Sequence, residues 1–196
     1  MVKGERRLAS FDDVAIDPPE VPPGHVVTSG TTASGLRVDL EGYDADRAVE
    51  TSSEFERWPD DLFVMPPKNG RLLVVVTDLE GGSAVAGALS WHVESYGPTQ
   101  GSMAWNIGIG LVAECRGHGV GSVAQGLLAR WLLDSTPLLR VEASTDGVNV
   151  AEQRALERAG FTREGVLRSA QSRADGVHDL VGYSLLRTDL ENVNQG

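Results

Sequence analysis

Trp105 to Leu132 reads WNIGIGLVAECRGHGVGSVAQGLLARWL, and the fold is decided here. It opens as an apolar, strand-like run, passes through Arg116-Gly117-His118-Gly119-Val120-Gly121-Ser122, and continues with helical periodicity. Val120, Val123, Leu127, Leu128, Trp131 and Leu132 fall on one helix face, and Ser135-Thr136-Pro137 ends the helix. A strand feeding a glycine-dense turn at a helix start leaves backbone N–H groups free beside the positive end of a helix dipole. That arrangement suits a phosphate.

Upstream of this unit, Arg71 to Asp78 (RLLVVVTD) is too apolar and β-branched for a surface helix and reads as a central strand. Glu80-Gly81-Gly82 turns the chain, Ala84 to Glu94 is its hairpin partner, and Met103 to Val112 is the third strand of the meander. Earlier still, His25 to Leu40 reads as one strand or a loose hairpin. The spacing of Ala45, Ala48, Val49, Ser52 and Phe55 predicts a helix over Asp44 to Arg57. The acidic residues Glu54, Glu56, Asp60 and Asp61 read first as a solvated helix face. Downstream come a strand at Leu139 to Ser144, a short helix at Ala151 to Ala159 stopped by Gly160, and closing strands at Phe161 to Arg168 and His178 to Leu186. Strands lead and helices alternate late, which predicts an α/β or α+β layered domain. It spans residues 25–188, between a proline-rich tail (1–24, ending DPPEVPPG) and a short tail (189–196).

The formal net charge of −11 argues against nucleic acid, whose binding relies on basic side chains. The one cysteine, Cys115, excludes a disulfide framework and a cysteine-built zinc site, and no metal is expected. No apolar run is long enough to span a bilayer, and MVKGERRLASFDD lacks the apolar stretch of a secretory signal. A soluble cytoplasmic protein is the expectation.

The glycines Gly117, Gly119 and Gly121 imitate a dinucleotide fingerprint, with Glu142 at roughly the expected ~20 residues further on. The third glycine is misplaced, however, and too little chain remains for a doubly wound sheet. A Walker loop fails for want of Gly-Lys-Ser/Thr. Arg116-x-x-Gly119-x-Gly121 instead resembles the Q/R-x-x-G-x-G/A pyrophosphate loop of the GNAT acetyltransferases. Asn149-Val150-Ala151-Glu152-Gln153-Arg154-Ala155-Leu156-Glu157-Arg158-Ala159-Gly160-Phe161 resembles the N-x-A-S-x-R-V-L-E-K-A-G-F segment of their branch of ribosomal-protein N-terminal acetyltransferases (RimJ/RimL type). The resemblance covers about residues 35–188 and continues through Glu164–Arg168 and Asp179–Leu186.

The resemblance implies a mixed, mostly antiparallel sheet with flanking helices, in which the parallel central strands Met103–Val112 and Leu139–Ser144 splay apart around acetyl-coenzyme A. Backbone groups near Leu111 and Val112 are then expected to bond the pantetheine arm and polarise the thioester carbonyl. The pyrophosphate is expected on the N–H groups of Arg116, Gly117, His118, Gly119, Val120, Gly121 and Ser122, with the His118 ring flanking the cofactor. Asn149 is expected against the pantetheine arm or the substrate. The acceptor amine attacks directly, so Cys115 is read as a small residue closing a strand rather than a nucleophile.

Three residues compete for acid–base work. Many relatives carry a glutamate where this chain has Asn106, which cannot accept a proton at neutral pH. Glu152 replaces a serine often proposed to reprotonate the thiolate. It is either a relocated general base or half of a capping box with Asn149. His92, beside Ser90 and Glu94 at period two, is another possible base.

The missing glutamate bears on the acceptor. Near neutral pH an α-amine of pKa about 7.7–8.0 is roughly 30% neutral, and a lysine amine of pKa about 10.4 only about 0.1%. The expected activity is N-acetyl transfer to a protein N-terminus or a small amine such as an aminated antibiotic, with a homodimer as the expected assembly. The competing reading is a non-catalytic acyl-CoA-binding module on the same fold.

Overall fold

The computed structural model describes residues 16–59, 69–78 and 80–193. Within them β1 (Val26–Thr31), β2 (Arg37–Gly42), β3 (Gly70–Thr77), β4 (Ser83–Ser95) and β5 (Met103–Leu111) form an antiparallel meander. Then follow α1 (Val120–Ser135), β6 (Arg140–Asp146), α2 (Val150–Arg158), β7 (Thr162–Arg173), β8 (Gly176–Leu186) and α3 (Arg187–Val193). The strands form one sheet in the order β1-β2-β3-β4-β5-β6-β8-β7. Its one parallel contact is β5 with β6, through the pairs Trp105↔Val141 and Asn106↔Glu142 alone. Beyond those pairs the strands part. This is the mixed, mostly antiparallel architecture that the sequence resemblance implied.

The sheet has two chemically different faces. β3 is apolar on both sides, with Leu72, Leu73 and Val74 fully buried. On β4 and β5, Leu89, Trp91, Trp105 and Ile107 turn towards α1, whereas Ser90, His92, Asn106 and Gly108 alternate onto the opposite face. Val120, Ala124, Leu128, Ala129, Leu132 and Leu133 of α1 complete the core against the first face. Each fully buried leucine there contributes roughly 1.5–3 kcal/mol. The end of the helix is locked by Thr136, whose Oγ1 donates to the Leu132 carbonyl (2.6 Å) and accepts from Trp105 Nε1 (3.1 Å). The indole and the hydroxyl are therefore buried without an unmet donor.

The predicted helix over Asp44–Arg57 does not form. Only a 3-10 turn at Glu54–Glu56 appears, capped by Ser53 Oγ on the Phe55 N–H (3.2 Å). Two local effects defeat the helical spacing. Asp44 Oδ1 takes the Asp46 N–H (3.0 Å) in an Asx turn, and Val49, Thr51, Ser52 and Ser53 favour extended or turn conformations. Tertiary anchors then hold the segment out as a strap. Thr51 lies on Gly110, where any Cβ would stand 2.4 Å from Thr51 Oγ1. The Ser52 carbonyl accepts from Arg116 Nη2, and the Arg57 carbonyl accepts the Ala174 N–H (2.8 Å).

At the amino end, Ile16 is buried in the core and Pro23 bridges to Gly42. A Cβ on Gly42 would meet the Pro22 carbonyl at 1.9 Å, so the described part of the proline-rich segment lies across its own domain. At the carboxyl end, α3 occupies what reads in sequence as the start of a tail. Asp189 Oδ2 accepts the Leu186 N–H (2.9 Å), and Leu190 packs against the core. Residues 1–15, Asp60, Asp61 and 194–196 of the sequence reading lie outside the described residues.

Candidate active site

Where β5 and β6 part, they open a cleft of about 630 Å³. Its inner end is Ile107 and Ala143, one residue beyond the last ladder pair. The strap from Thr51 to Trp58 walls one side, α2 another, and the glycine turn the outer end.

Leu111, Arg116, Gly117, Gly119, Gly121, Ser122, Asn149 and Glu152 all line this cleft. Gly117 (φ +77°) and Gly119 (φ +82°) hold left-handed backbone that L side chains rarely adopt. Gly119 is the N-cap of α1 and carries no side-chain cap, so the first-turn N–H groups of Val120, Gly121 and Ser122 keep their donors for a ligand. His118 and Val120 belong to the turn without lining the cleft, and Val120 is buried in the core. The Arg116 side chain folds back instead of reaching outward. Its Nε (3.0 Å) and Nη2 (2.7 Å) donate to the Leu111 carbonyl while Nη2 also holds the strap at Ser52.

The Val112 N–H donates to the Ala86 carbonyl of β4 (2.9 Å), just past the end of β5. The same alternation turns the backbone groups of Ile109 and Leu111 towards β6, where no strand receives them.

Asn149 is the N-cap of α2, with Oδ1 accepting the Glu152 N–H (3.2 Å). The reciprocal half of a capping box is absent, because the Asn149 N–H is taken by the Asp146 carbonyl (3.0 Å). The Glu152 carboxylate turns to Gln125 on α1. Burial pushes its pKa up, and the Gln125 hydrogen bond opposes that shift. The charged carboxylate thus costs folded-state stability in full above its raised folded pKa; the cost shrinks as pH falls below that value and is gone below the ordinary carboxylate pKa. Glu152→Gln should raise the melting temperature at pH 8, the gain fading towards pH 4. Melting curves across that range check it.

His92 and Asn106 lie outside the cleft, paired across β4 and β5 on the face away from α1. His92 Nε2 meets Glu94 Oε1 at 3.2 Å, and Asn106 Nδ2 reaches Glu142 Oε1 at 3.5 Å. Burial pushes the Cys115 thiol up, the wrong direction for a nucleophile.

Several cleft residues carry no signal in the sequence reading. Arg154 and Arg158 line it from α2, and only their i, i+4 spacing on one face with Ala151 and Ala155 marks them. Glu54 and Glu56 also line it, solvent-exposed on the 3-10 turn instead of on an α-helix face. At the far end Asp146 Oδ2 lies 2.7 Å from Arg173 Nη1 and 2.8 Å from His178 Nδ1. Arg173 is further held by Gln171 (2.8 Å to Nε) and lies over the Phe55 ring at 6.0 Å.

A family model, the acetyltransferase (GNAT) domain, matches residues 40–162. The chain belongs to the GNAT acetyltransferase family. Among solved structures, a probable GNAT acetyltransferase from Chromobacterium violaceum shares 20% identity at a TM-score of 0.60, covering 90% of this chain and 93% of that one. A GCN5-related N-acetyltransferase from Brucella melitensis shares 22% at 0.60, covering 92% and 86%. Mycobacterium smegmatis RimJ, in complex with CoA-disulfide, shares 21% at 0.50, covering 61% of this GNAT chain and 55% of its own. These identities speak for the fold. The matched part spans only 65% of a Bacillus anthracis GNAT structure and 63% of a third relative. No curated protein matches significantly. Among the described residues no helix is long and apolar enough to cross a membrane, and no cluster of metal-ligating side chains occurs.

Proposed function

We propose that this GNAT domain transfers an acetyl group from acetyl-coenzyme A to a primary amine by direct attack in a ternary complex. One observation carries the reading: the uncapped, left-handed glycine turn at the start of α1 opens onto the gap between β5 and β6.

When bound, acetyl-coenzyme A supplies the activated acetyl thioester. The chain's own groups do the rest. The N–H groups of Gly117 to Ser122 bind pyrophosphate, with Arg154 and Arg158 adding positive charge along α2. Ile109 and Leu111 present backbone donors to the pantetheine arm and to the carbonyl oxygen as charge develops there. Glu152, its pKa raised, returns a proton to the departing thiolate.

The acceptor is an amine, and an α-amine is preferred over a lysine. The solved structures of RimJ and of the ribosomal-protein-S5-alanine acetyltransferase of Vibrio fischeri, the latter at 22% identity and a TM-score of 0.50, support a protein N-terminus, and Glu54 and Glu56 suit a cationic partner. The test is thiol release with an α-amine peptide, a blocked lysine peptide and an amino-sugar, alongside thermal shift with acetyl-CoA, CoA and NAD. Acetyl-CoA should stabilise, NAD should not, and the α-amine peptide should turn over fastest. Robust lysine acetylation without α-amine activity would reverse the acceptor preference. Tight acetyl-CoA binding with no thiol release from any amine would favour the non-catalytic module.

A further inference from the structure

Glu142 has no part in the proposal above. It is 6% exposed, on β6, and belongs to the last ladder pair before the strands separate. Its position therefore marks the apex of the cleft. The next residues on its own face of the sheet are Ser144 on β6 and Gly108 on β5, both exposed to solvent and both lining the cleft. Two residues of extended chain span about 7 Å, the reach of one or two bridging waters.

A buried carboxylate needs partners, and the partners here come from every neighbouring element. Tyr96, in the turn between β4 and β5, donates its hydroxyl to both oxygens, at 2.7 and 2.9 Å. Arg140 Nε reaches Oε2 at 3.0 Å, and the same guanidinium is held in a two-pronged pair by Glu164 of β7, which also accepts from Ser184 of β8 (2.8 Å). Asn106 of β5 approaches at 3.5 Å, with His92 and Glu94 of β4 beyond it. Arg140 is shared between Glu142 and Glu164, and the Glu164 carboxyl is held down at about 2 by that pairing. Tyr96 is 69% exposed while its hydroxyl points inward, so one phenol connects the buried carboxylate to bulk water.

We infer that Glu142, on the strand beside Asn106, is the proton acceptor for the incoming amine, and that Tyr96 is its exit to solvent. This rests on the acetyltransferase reading. The acceptor ammonium gives one proton through water to Glu142 and becomes a neutral amine. Its lone pair attacks the thioester carbonyl, the C–N bond forms, and the C–S bond breaks with its electron pair on sulfur. Glu152 gives its proton to the departing thiolate, so the sulfur ends as a thiol, and the second proton shed by the nitrogen returns to Glu152. Glu142 then hands its proton past the Tyr96 hydroxyl to solvent, which restores the carboxylate.

Three variants test this, each assayed for thiol release across pH and for thermal shift with acetyl-CoA. Glu142→Gln should lower kcat by about 100-fold or more, in the range of general-base effects. It should leave the acetyl-CoA shift intact and move the acidic limb of the kcat/KM profile up to the acceptor amine's own pKa. Tyr96→Phe should slow turnover several-fold with the limb retained. The double variant Asn106→Glu with Glu142→Gln moves the carboxylate across the ladder by one strand and should recover most of the lost rate, which a structural role for Glu142 would not produce. A Glu142→Gln enzyme with the parent's rate and acidic limb overturns the inference and leaves acetyl transfer standing. A parent protein that releases no thiol from any amine overturns both.

Discussion

Gly119→Glu is expected to abolish stabilisation by acetyl-CoA. A ligand supplied at 100-fold over its Kd adds about 2.7 kcal/mol to a protein that binds it. In the variant that increment should fall to nothing, because a carboxylate would stand at the mouth of the turn proposed to bind the pyrophosphate. Two effects combine in this substitution and need separating. At φ +82° any L side chain costs about 1–2 kcal/mol in backbone strain, which lowers the melting temperature without ligand. There is room for the side chain itself, since a Cβ would meet Thr32 only at 3.6 Å. Gly119→Ala therefore carries the strain without the charge. It should melt lower yet keep most of the ligand shift. Thermal melts of both variants with and without acetyl-CoA decide the matter. An unchanged shift in Gly119→Glu would move the phosphate site elsewhere.

The second large effect is on stability. Asp146→Ala should destabilise the protein by about 3–5 kcal/mol, the usual result of stranding one member of a buried ion pair. Asp146 and Arg173 side chains are 2% and 4% exposed, so the guanidinium cannot turn to water when its partner is removed. The same carboxylate also receives the Val148 N–H (2.7 Å) at the turn into α2, so the helix start loosens with it. At roughly 2–4 °C per kcal/mol for a chain of this size, the melting temperature should drop by about 10 °C or so. Adding Arg173→Met removes the stranded charge and should restore much of the loss. Urea titrations of the single and double variants measure the coupling. Equal destabilisation in both would mean that Asp146 acts through the α2 turn alone.

These two sites differ in how far sequence reveals them. Gly119 is legible because its signal is local: a strand, a run of glycines and a helix start lie within a few residues of one another. The capping half of Asn149 is local too. The Asp146–Arg173–His178 cluster joins the end of β6 to the β7–β8 turn, and nothing in the spacing of those residues announces a contact. The strap shows the opposite failure. Ala45, Ala48, Val49, Ser52 and Phe55 do have helical spacing, but Arg116 at one end and the Ala174 N–H at the other hold the chain extended, and tertiary anchors outweigh a weak propensity. The direction of the Val112 N–H is hidden for a subtler reason. Which residues of β5 face β6 depends on the parity of its ladder with β4, and a one-residue change exchanges the two sets. The glycine turn and the parted strands are therefore readable in the sequence, whereas the parity of the edge and the carboxylate at its apex are not.

The parallel seam between β5 and β6 has a mechanical consequence. Among the described residues two residue pairs make up the whole ladder between β5 and β6, whereas every other neighbouring pair of strands shares a longer one. The sheet is two stiff plates meeting at a short hinge, braced by α1 on one side and tied by the strap on the other. Under load or thermal agitation the hinge is where the plates shear first, and a long molecule lying in the gap would act as a splint across it.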